Sequence, residues 1–303
     1  MELYKKYRPK KLMDMVGNNN TISSLKSVVA RERPPHAFLF TGPTGVGKTT
    51  LARITARMLD CAKGSRIELN TASYRGIDAI RELLQQMVLM PLEGKVRVYT
   101  LDECHQISKD GQEALLKALE DTPSHVYFLL CTTNPEKLKQ TLKNRCTRFD
   151  LQPLSEEEII SLLTNVLGQE KKTVNKKILQ QIATDSLGSA RAALVMLDQI
   201  IDLPPEKMSA AARRAAESEQ ESISLCRALI KKERWEVVSK ILKGLSEQDA
   251  ERLRLAVLGY CKSILLGGAK NNQAFFIMET MKEPFYNTGQ AGLVKACYEI
   301  ING

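Results

Sequence analysis

Over the first 150 residues, short apolar runs alternate with longer stretches in which apolar side chains recur every three or four positions. The runs are HAFLF (36–40), RIEL (66–69), VRVYTLD (96–102) and VYFLLCT (126–132), and helical spacing lies between them, roughly over 49–60, 76–87 and 110–121. Strands alternating with helices predict βαβ units and a parallel sheet. At LQPLSEEEII the pattern changes, and Ser155 followed by Glu158 forms a capping box that opens a helix. From there to Gly303 no strand pattern recurs, only amphipathic stretches such as RWEVVSKILKGL (234–245) and AERLRLAVLGYCKSILLGG (250–268). IDLPPEK (201–207) punctuates this helical part, Ser246 with Asp249 marks another helix start, and KEPFYNTGQAG (282–292) reads as a loop. The expected layout is an α/β domain over 1–150, a small helical domain over 151–204 and a second helical domain over 205–303.

Composition refines this picture only a little. Of 303 residues, 43% are apolar and 26% charged, which is ordinary for a soluble globular protein. No run of about 18 apolar residues exists to cross a bilayer. The opening MELYKKYRPK has no apolar core for a secretory signal. A cytoplasmic protein without a membrane partner is expected. The seven cysteines, at 61, 104, 131, 146, 226, 261 and 297, are scattered, without a CxxC pair, and odd in number. They argue against a disulfide framework or a four-cysteine zinc site and for reduced, mostly buried thiols. A formal charge of +9 favours a polyanionic partner such as nucleic acid, but constrains little by itself. Trp235, on an amphipathic stretch, reads as a core or interface residue.

The chemistry sits at the ends of the apolar runs. GPTGVGKTT (42–50) fits GxxxxGK[ST] in full, directly after one predicted strand and before a run of good helix formers. Glycines let such a loop turn its N–H groups toward phosphates, and the following helix adds a positive dipole. Lys48 would reach the β- and γ-phosphates and the Thr49 hydroxyl a Mg²⁺ ion. VRVYTLD then ends in Asp102 and is followed by Glu103, carboxylates at the carboxyl edge of a parallel sheet. Asp102 suits the metal, and Glu103 suits orienting and deprotonating a water. His105 reads as a helix-start residue, with a shuttle or switch role as the alternative. On the last run, Thr133 or Asn134 can hydrogen-bond a γ-phosphate or the attacking water, or TTNP is simply a turn. Arg145, in LKNRC, has no acidic residue in the five positions before it and no local explanation.

In their order, these stretches resemble the AAA+ clamp-loader ATPases over most of residues 1–200. LYKKYRPKKLMDMVGN (3–18) is similar to the segment that wraps the adenine in that family, and GPTGVGKTT and LDECHQIS (101–108) to its phosphate loop and acidic box. FLLCTTNPEKL followed by LKNRCTRF looks like the sensor strand and the Ser-Arg-Cys motif, and GSARAALVMLDQ (188–199) like the second sensor on the lid helix. Within the family, the gamma/tau ATPase subunits of the bacterial polymerase III loader look most similar. LNTASYRGIDAIREL (69–83) also reads like replication factor C small subunits.

The resemblance implies an α/β P-loop AAA+ domain with a parallel sheet flanked by helices, then a helical lid domain, then an all-α collar domain that holds subunits together. It implies ATP as substrate with Mg²⁺. Tyr7, Arg8, Pro9 and Val16 would meet the adenine, and Gly42, Pro43, Thr44, Gly45, Val46, Gly47, Lys48, Thr49 and Thr50 would cradle the phosphates. Arg145 becomes a finger projecting into a neighbouring subunit's ATP site, and Arg191 a contact from the lid to the γ-phosphate in its own chain. Ser73, Arg75 and Arg81 would follow the backbone of primer–template DNA, and Met87, Val88, Leu89 and Met90 would dock on the sliding clamp. The implied activity is an ATPase stimulated by DNA and clamp, in a homo- or hetero-pentamer with other loader subunits. A non-hydrolysing, stator-like subunit and a DNA-translocating motor of the branch-migration type are the alternatives. Three departures stand out. MLDCAKGSRIELN offers only Cys61 where gamma/tau subunits carry a four-cysteine zinc module, so no zinc is expected. Asn144 replaces the serine of Ser-Arg-Cys, and the chain stops at 303 without the long tail, as in a compact loader subunit.

Overall fold

The computed structural model describes residues 2–71, 77–219, 221–266 and 271–303. After a first short helix, α1 (Leu3–Lys6), comes α2 (Asn19–Val29), and then five strands: β1 (Ala37–Thr41), β2 (Arg66–Asn70), β3 (Arg97–Asp102), β4 (Val126–Thr132) and β5 (Thr147–Asp150). All pair in parallel, in the order β2-β3-β4-β1-β5. Four of them coincide with the apolar runs. The fifth, TRFD, buries only Phe149, because an edge strand of four residues presents one side chain to the core; its pattern is too short to be seen.

β1 and β4 are buried along their whole length. Because strand side chains alternate between faces, Phe38 and Phe40 enter one core with Leu51, Ala52 and Leu129, while Leu39 enters another with Ile80, Tyr99, Leu115 and Phe128. Phe38, Phe40 and Phe149 stack on each other in the first core. The first is covered by α2 and α3 (Lys48–Met58). The second is covered by α4 (Ile77–Met87), α5 (Lys109–Glu120) and the short α6 (Gln140–Asn144). The chain leaves β1 for β2 at the far edge, while β5 docks on the other side of β1. The strand order thus reverses at β1, and a crevice opens beyond the carboxyl ends of the strands, where ligands bind in such sheets.

The sheet unit spans Tyr7–Leu154, and residues 2–6 belong with Ser155–Gly303 in a separate helical unit. There α1 packs on α9 (Ala190–Asp198), beside α7 (Glu156–Glu170) and α8 (Lys176–Asp185). The remaining helices are α10 (Pro205–Glu219), α11 (Glu221–Ile230), α12 (Trp235–Gly244), α13 (Ala250–Leu266), α14 (Asn272–Thr280) and α15 (Gly289–Asn302). α10 packs against both α8 and α9, so these helices form one compact body across the Pro204–Pro205 punctuation. Ser155 and Glu158 make the expected reciprocal cap of α7. At α13 the cap is Asp249, which accepts from Arg252 N at 2.8 Å; Ser246 instead donates back to Lys243 O, closing the end of the preceding helix. The loop expected over 282–292 ends earlier, since α15 begins at Gly289. No helix among the described residues is long and apolar enough to cross a membrane.

Candidate functional site

The loop from Gly42 to Gly47 leaves β1 at the strand-order reversal, and its glycines take up conformations that suit glycine alone. Gly42 has φ +140°, Gly45 +79° and Gly47 +108°. At Gly42 the backbone also runs too close for a side chain, since a Cβ there would stand 2.3 Å from the Leu151 carbonyl oxygen. Val46 is buried in the core and anchors the loop, while Pro43 and Thr44 are exposed and Gly45, Gly47, Thr49 and Thr50 are half-buried. Lys48 opens α3 with only 6% of its surface exposed, and its ammonium donates to the carbonyls of Gly42 and Pro43 at 2.9 and 2.8 Å. A lysine tied to its own loop at the start of an eleven-residue helix gives a preset cradle of positive charge and backbone N–H groups, the setting for an anionic phosphate.

Two strands away, β3 delivers the acids. Thr49 Oγ1 donates to Asp102 Oδ2 at 2.9 Å, so the two groups assigned to a magnesium ion already meet. A hydroxyl and a carboxylate are hard oxygen donors, the kind magnesium takes beside waters and phosphate oxygens, and the pair fits that ion. Among the described residues no group of three or more His, Cys, Asp or Glu side chains forms a further metal cluster. Glu103 sits in the left-handed region at φ 52°, a conformation that costs a non-glycine residue about 1–3 kcal/mol. It is held there by Thr71, whose hydroxyl reaches the carbonyls of both Asp102 and Glu103, at 3.0 and 2.7 Å.

β4 lies between β1 and β3, and its tip completes the cluster. Thr133 Oγ1 is 3.1 Å from Glu103 Oε2 and 2.8 Å from Asn134 Oδ1, while Asn134 N donates to Thr132 Oγ1 at 3.0 Å. Glu103, Thr133 and Asn134, separate in sequence, are therefore neighbours. His105 is not at the start of a long helix. It lies in a 3-10 turn, Cys104–Gln106, and α5 begins only at Lys109, capped by Ser108. Its ring nitrogen Nδ1 is 3.3 Å from Glu103 Oε2 and 3.0 Å from Thr132 Oγ1. Burial pushes its imidazole below the usual histidine range, which keeps it neutral at physiological pH. Thr71 and Thr132 carried no local signal as site residues; only the fold brings them in, and only the fold shows the partners of His105 and Met15.

The N-terminal segment runs beside the phosphate loop. The Met15 methyl lies 3.2 Å from the place a Gly47 Cβ would occupy, and Asn18 is fastened to the backbone of Gln152 by two hydrogen bonds of 2.7 and 3.0 Å. Tyr7, Arg8, Pro9 and Val16 are all half-buried along this segment.

The remaining candidates stand elsewhere. Arg145 caps α6, and its partner proves to be Glu120 at the end of α5, 2.9 Å away, with both side chains about half exposed. In the helical unit, Arg191 lies in the first turn of α9 with its guanidinium 4.9 Å from the Tyr4 ring centre. Arg81 is exposed on α4, while Ser73 and Arg75 lie outside the described residues. The apolar segment divides: Met87 is buried in the core, whereas Val88, Leu89 and Met90 are 64–68% exposed. Met87 thus anchors the segment instead of facing out of it, and fully exposed Leu92 extends the outward patch. Arg97 donates to the carbonyls of Gln86 and Met90, and His125 Nε2 reaches those of Met87 and Leu89 at 3.1 and 3.2 Å, so the patch is presented on a pinned backbone.

A family model described as DNA polymerase III, delta subunit, matches residues 65–155. DNA polymerase III subunit tau of Escherichia coli is 32% identical over 289 residues, covering 87% of this chain and 45% of that protein. DNA polymerase III subunit gamma of Buchnera aphidicola (subspecies Baizongia pistaciae) is 33% identical, covering 66% of this chain and 60% of the relative. Subunit tau of Bacillus subtilis is also 33% identical, with 66% and 39% covered. The chain thus spans about two fifths to three fifths of the length of these relatives. Among solved structures, a point variant of RuvB from Thermotoga maritima superposes with a TM-score of 0.64 at 20% identity, over 88% of this chain and 94% of that one. The Thermotoga RuvB Holliday junction branch migration motor gives 0.60 at 22% identity, over 75% and 78%. The fold is the P-loop AAA+ fold expected from the motifs, and the sequence is similar to polymerase III gamma/tau subunits.

Proposed function

We propose, on the premise of that likeness to gamma/tau subunits, that this chain is an ATP-driven motor subunit of a sliding-clamp loader in DNA replication. The observation that carries the reading is the meeting of Lys48, Thr49, Asp102, Glu103 and Thr133 around one crevice, with Arg145 facing outward from the same unit. Lys48 and the loop N–H groups bind the β- and γ-phosphates. Thr49 and Asp102 hold the magnesium ion, which when bound neutralises charge on the phosphate oxygens. Glu103 orients the attacking water and takes its proton, and Thr133 with Asn134 senses the γ-phosphate from the opposite wall. The N-terminal segment through Tyr7, Arg8, Pro9 and Val16 faces the adenine.

Arg145 acts in trans. Its bond to Glu120 joins two half-exposed groups, and such pairs contribute only about 0–1 kcal/mol, so exchanging it for a neighbour's γ-phosphate costs little. Arg191 contributes from the lid. Val88, Leu89 and Met90 are offered to the clamp, and Arg81, with Ser73 and Arg75, to duplex phosphates. The cycle runs on differential affinity: the ATP-bound assembly of like or unlike loader subunits favours open clamp and primed DNA, and hydrolysis removes that preference. A cytoplasmic site of action follows from the replication role.

A loader subunit that binds but does not hydrolyse is the second reading. The family description naming another polymerase III subunit favours it, and the complete set of Lys48, Thr49, Asp102 and Glu103 weighs against it. The RuvB likeness is one of fold, and the described residues after Ser155 form helices only. The deciding experiment is steady-state ATP hydrolysis by the purified chain, alone, with primer–template DNA, and with DNA plus sliding clamp and partner subunits. Joint stimulation by DNA and clamp supports the motor subunit. Equal inertness of the unmutated chain and Glu103→Gln supports the stator, and ATP-driven junction migration supports the RuvB-type motor.

A further inference from the structure

The environment of His105 goes beyond what hydrolysis by the acid pair requires. The imidazole is almost wholly enclosed, its side chain 6% exposed, and both ring nitrogens are engaged. Nε2 faces the amide nitrogen of Gln106 at 3.1 Å. An amide nitrogen only donates, so Nε2 must present its lone pair, and a neutral imidazole then carries its proton on Nδ1. That nitrogen is hydrogen-bonded to Thr132 Oγ1, 3.0 Å away, and stands 3.3 Å from Glu103 Oε2. Thr132 Oγ1 in turn accepts the backbone N–H of Asn134, and Thr133 touches the same Glu103 oxygen from the other side.

From this arrangement we propose that His105 is a positioning residue: with its tautomer fixed by Gln106, its Nδ1–H holds the Glu103 carboxylate against the tip of β4 and ties it to Thr132–Asn134. This rests on the reading of Glu103 as the water-orienting base. A carboxylate at the end of two methylenes rotates freely when only one contact holds it. Thr133 Oγ1 at 3.1 Å and His105 Nδ1 at 3.3 Å both stand beside Oε2, which leaves Oε1 as the oxygen directed at water and connects its aim to the strand end assigned to γ-phosphate sensing. The left-handed backbone of Glu103 starts the side chain from an unusual direction, so the aim depends on such contacts more than it would on regular backbone.

The test uses the full chain in its stimulated assembly. His105→Phe keeps a ring but removes the donor, while His105→Asn places an amide N–H where Nδ1–H stood. The phenylalanine variant is expected to lose about 10- to 100-fold in kcat, the scale of a misplaced reacting group, with KM for ATP nearly unchanged. The asparagine variant is expected to recover most of that loss, and in a Glu103→Gln background His105→Phe is expected to add no further loss. Full kcat in His105→Phe, or equal losses in both variants, overturns the proposal. A second measurement needs no turnover. The chain has three histidines, so ¹⁵N-histidine spectra, assigned by loss of one signal in His105→Asn, report the His105 tautomer directly. The Nδ1–H form supports the relay and the Nε2–H form overturns it. An unmutated assembly that does not hydrolyse ATP overturns the motor reading, while the tautomer still decides the geometry.

Discussion

Arg145→Ala separates a subunit that completes its neighbour from one that works alone. In the structure the guanidinium pairs with Glu120 Oε1 at 2.9 Å, and the two side chains are 54% and 41% exposed. Exposed pairs of this kind contribute about 0–1 kcal/mol, so the variant should melt within a few degrees of the parent and bind ATP with the same affinity. Its effect on turnover is of another order. A trans arginine finger is worth about 10³–10⁵ in rate, or roughly 4–7 kcal/mol of transition-state stabilisation. A loss that large, with folding energy hardly changed, cannot come from breaking the Glu120 pair. The assay mixes Arg145→Ala, which keeps an intact site, with Glu103→Gln, which keeps an intact finger. Each alone should fall below about 1% of the stimulated rate, yet in a randomly mixed head-to-tail ring about a quarter of the interfaces join good site to good finger. Mixing should therefore restore a substantial fraction of activity. Stimulated turnover unaffected by Arg145→Ala, or dead variants that stay dead after verified co-assembly, would refute the reasoning.

Other consequences follow from single contacts. Gly42→Ala places a Cβ 2.3 Å from the Leu151 carbonyl oxygen at φ +140°; the strain of about 1–3 kcal/mol plus the clash should lower the urea midpoint and abolish binding of a fluorescent ATP analogue, and unchanged binding would contradict the cradle geometry. Thr49→Ala removes the hydroxyl partner of Asp102 and should raise the Mg²⁺ concentration needed for half-maximal turnover by about 10- to 100-fold, without weakening metal-free ADP binding in titrations. Burial raises all seven thiols above the ordinary value of 9.0, with Cys146, Cys261 and Cys297 pushed up to about 12. At pH 7.5 the native chain should react slowly with a disulfide reagent and expose seven thiols in denaturant; fast native labelling would contradict the packing. The folded pKa values lie above the unfolded ones, so the thiols' contribution to stability is complete below about pH 8.5 and is lost as pH rises through 9 toward 12, which urea midpoints against pH would show.

How much of this was legible depended on how local the physics is. The phosphate loop is nine contiguous residues whose glycines, lysine and threonine act within one turn of chain, so its spacing alone identifies it. The interior strands β1, β3 and β4 were visible because interior strands must be apolar nearly throughout, and the half-exposed edge strand β2 because its polar and apolar residues alternate; β5 and α2, one an edge strand with charged neighbours and the other a polar helix, were not. Arg145 looked unpartnered because its carboxylate comes from 25 positions upstream, on another helix. His105 was misread for the same reason. Within DECHQIS it adjoins the start of a helical stretch, and nothing in the local sequence shows that β4 lies beside β3 with Thr132 opposite the ring.

These cases share a physical cause. Parallel strands end at one edge, so each contributes a short segment to the crevice, and the pairing order decides which segments touch. β4 stands between the strand that leads into the phosphate loop and the strand that carries the acids. On the proposed reading, a γ-phosphate bound at Thr133 or Asn134 would shift this tip, and the contacts that would carry the shift to Glu103 are Thr133 directly and Thr132 with His105. The sequence shows two motifs and a turn; the sheet order makes them one connected network, and this is why the imidazole, whose partners the local sequence does not show, is the residue at which the proposed sensing and hydrolysis would be separated experimentally.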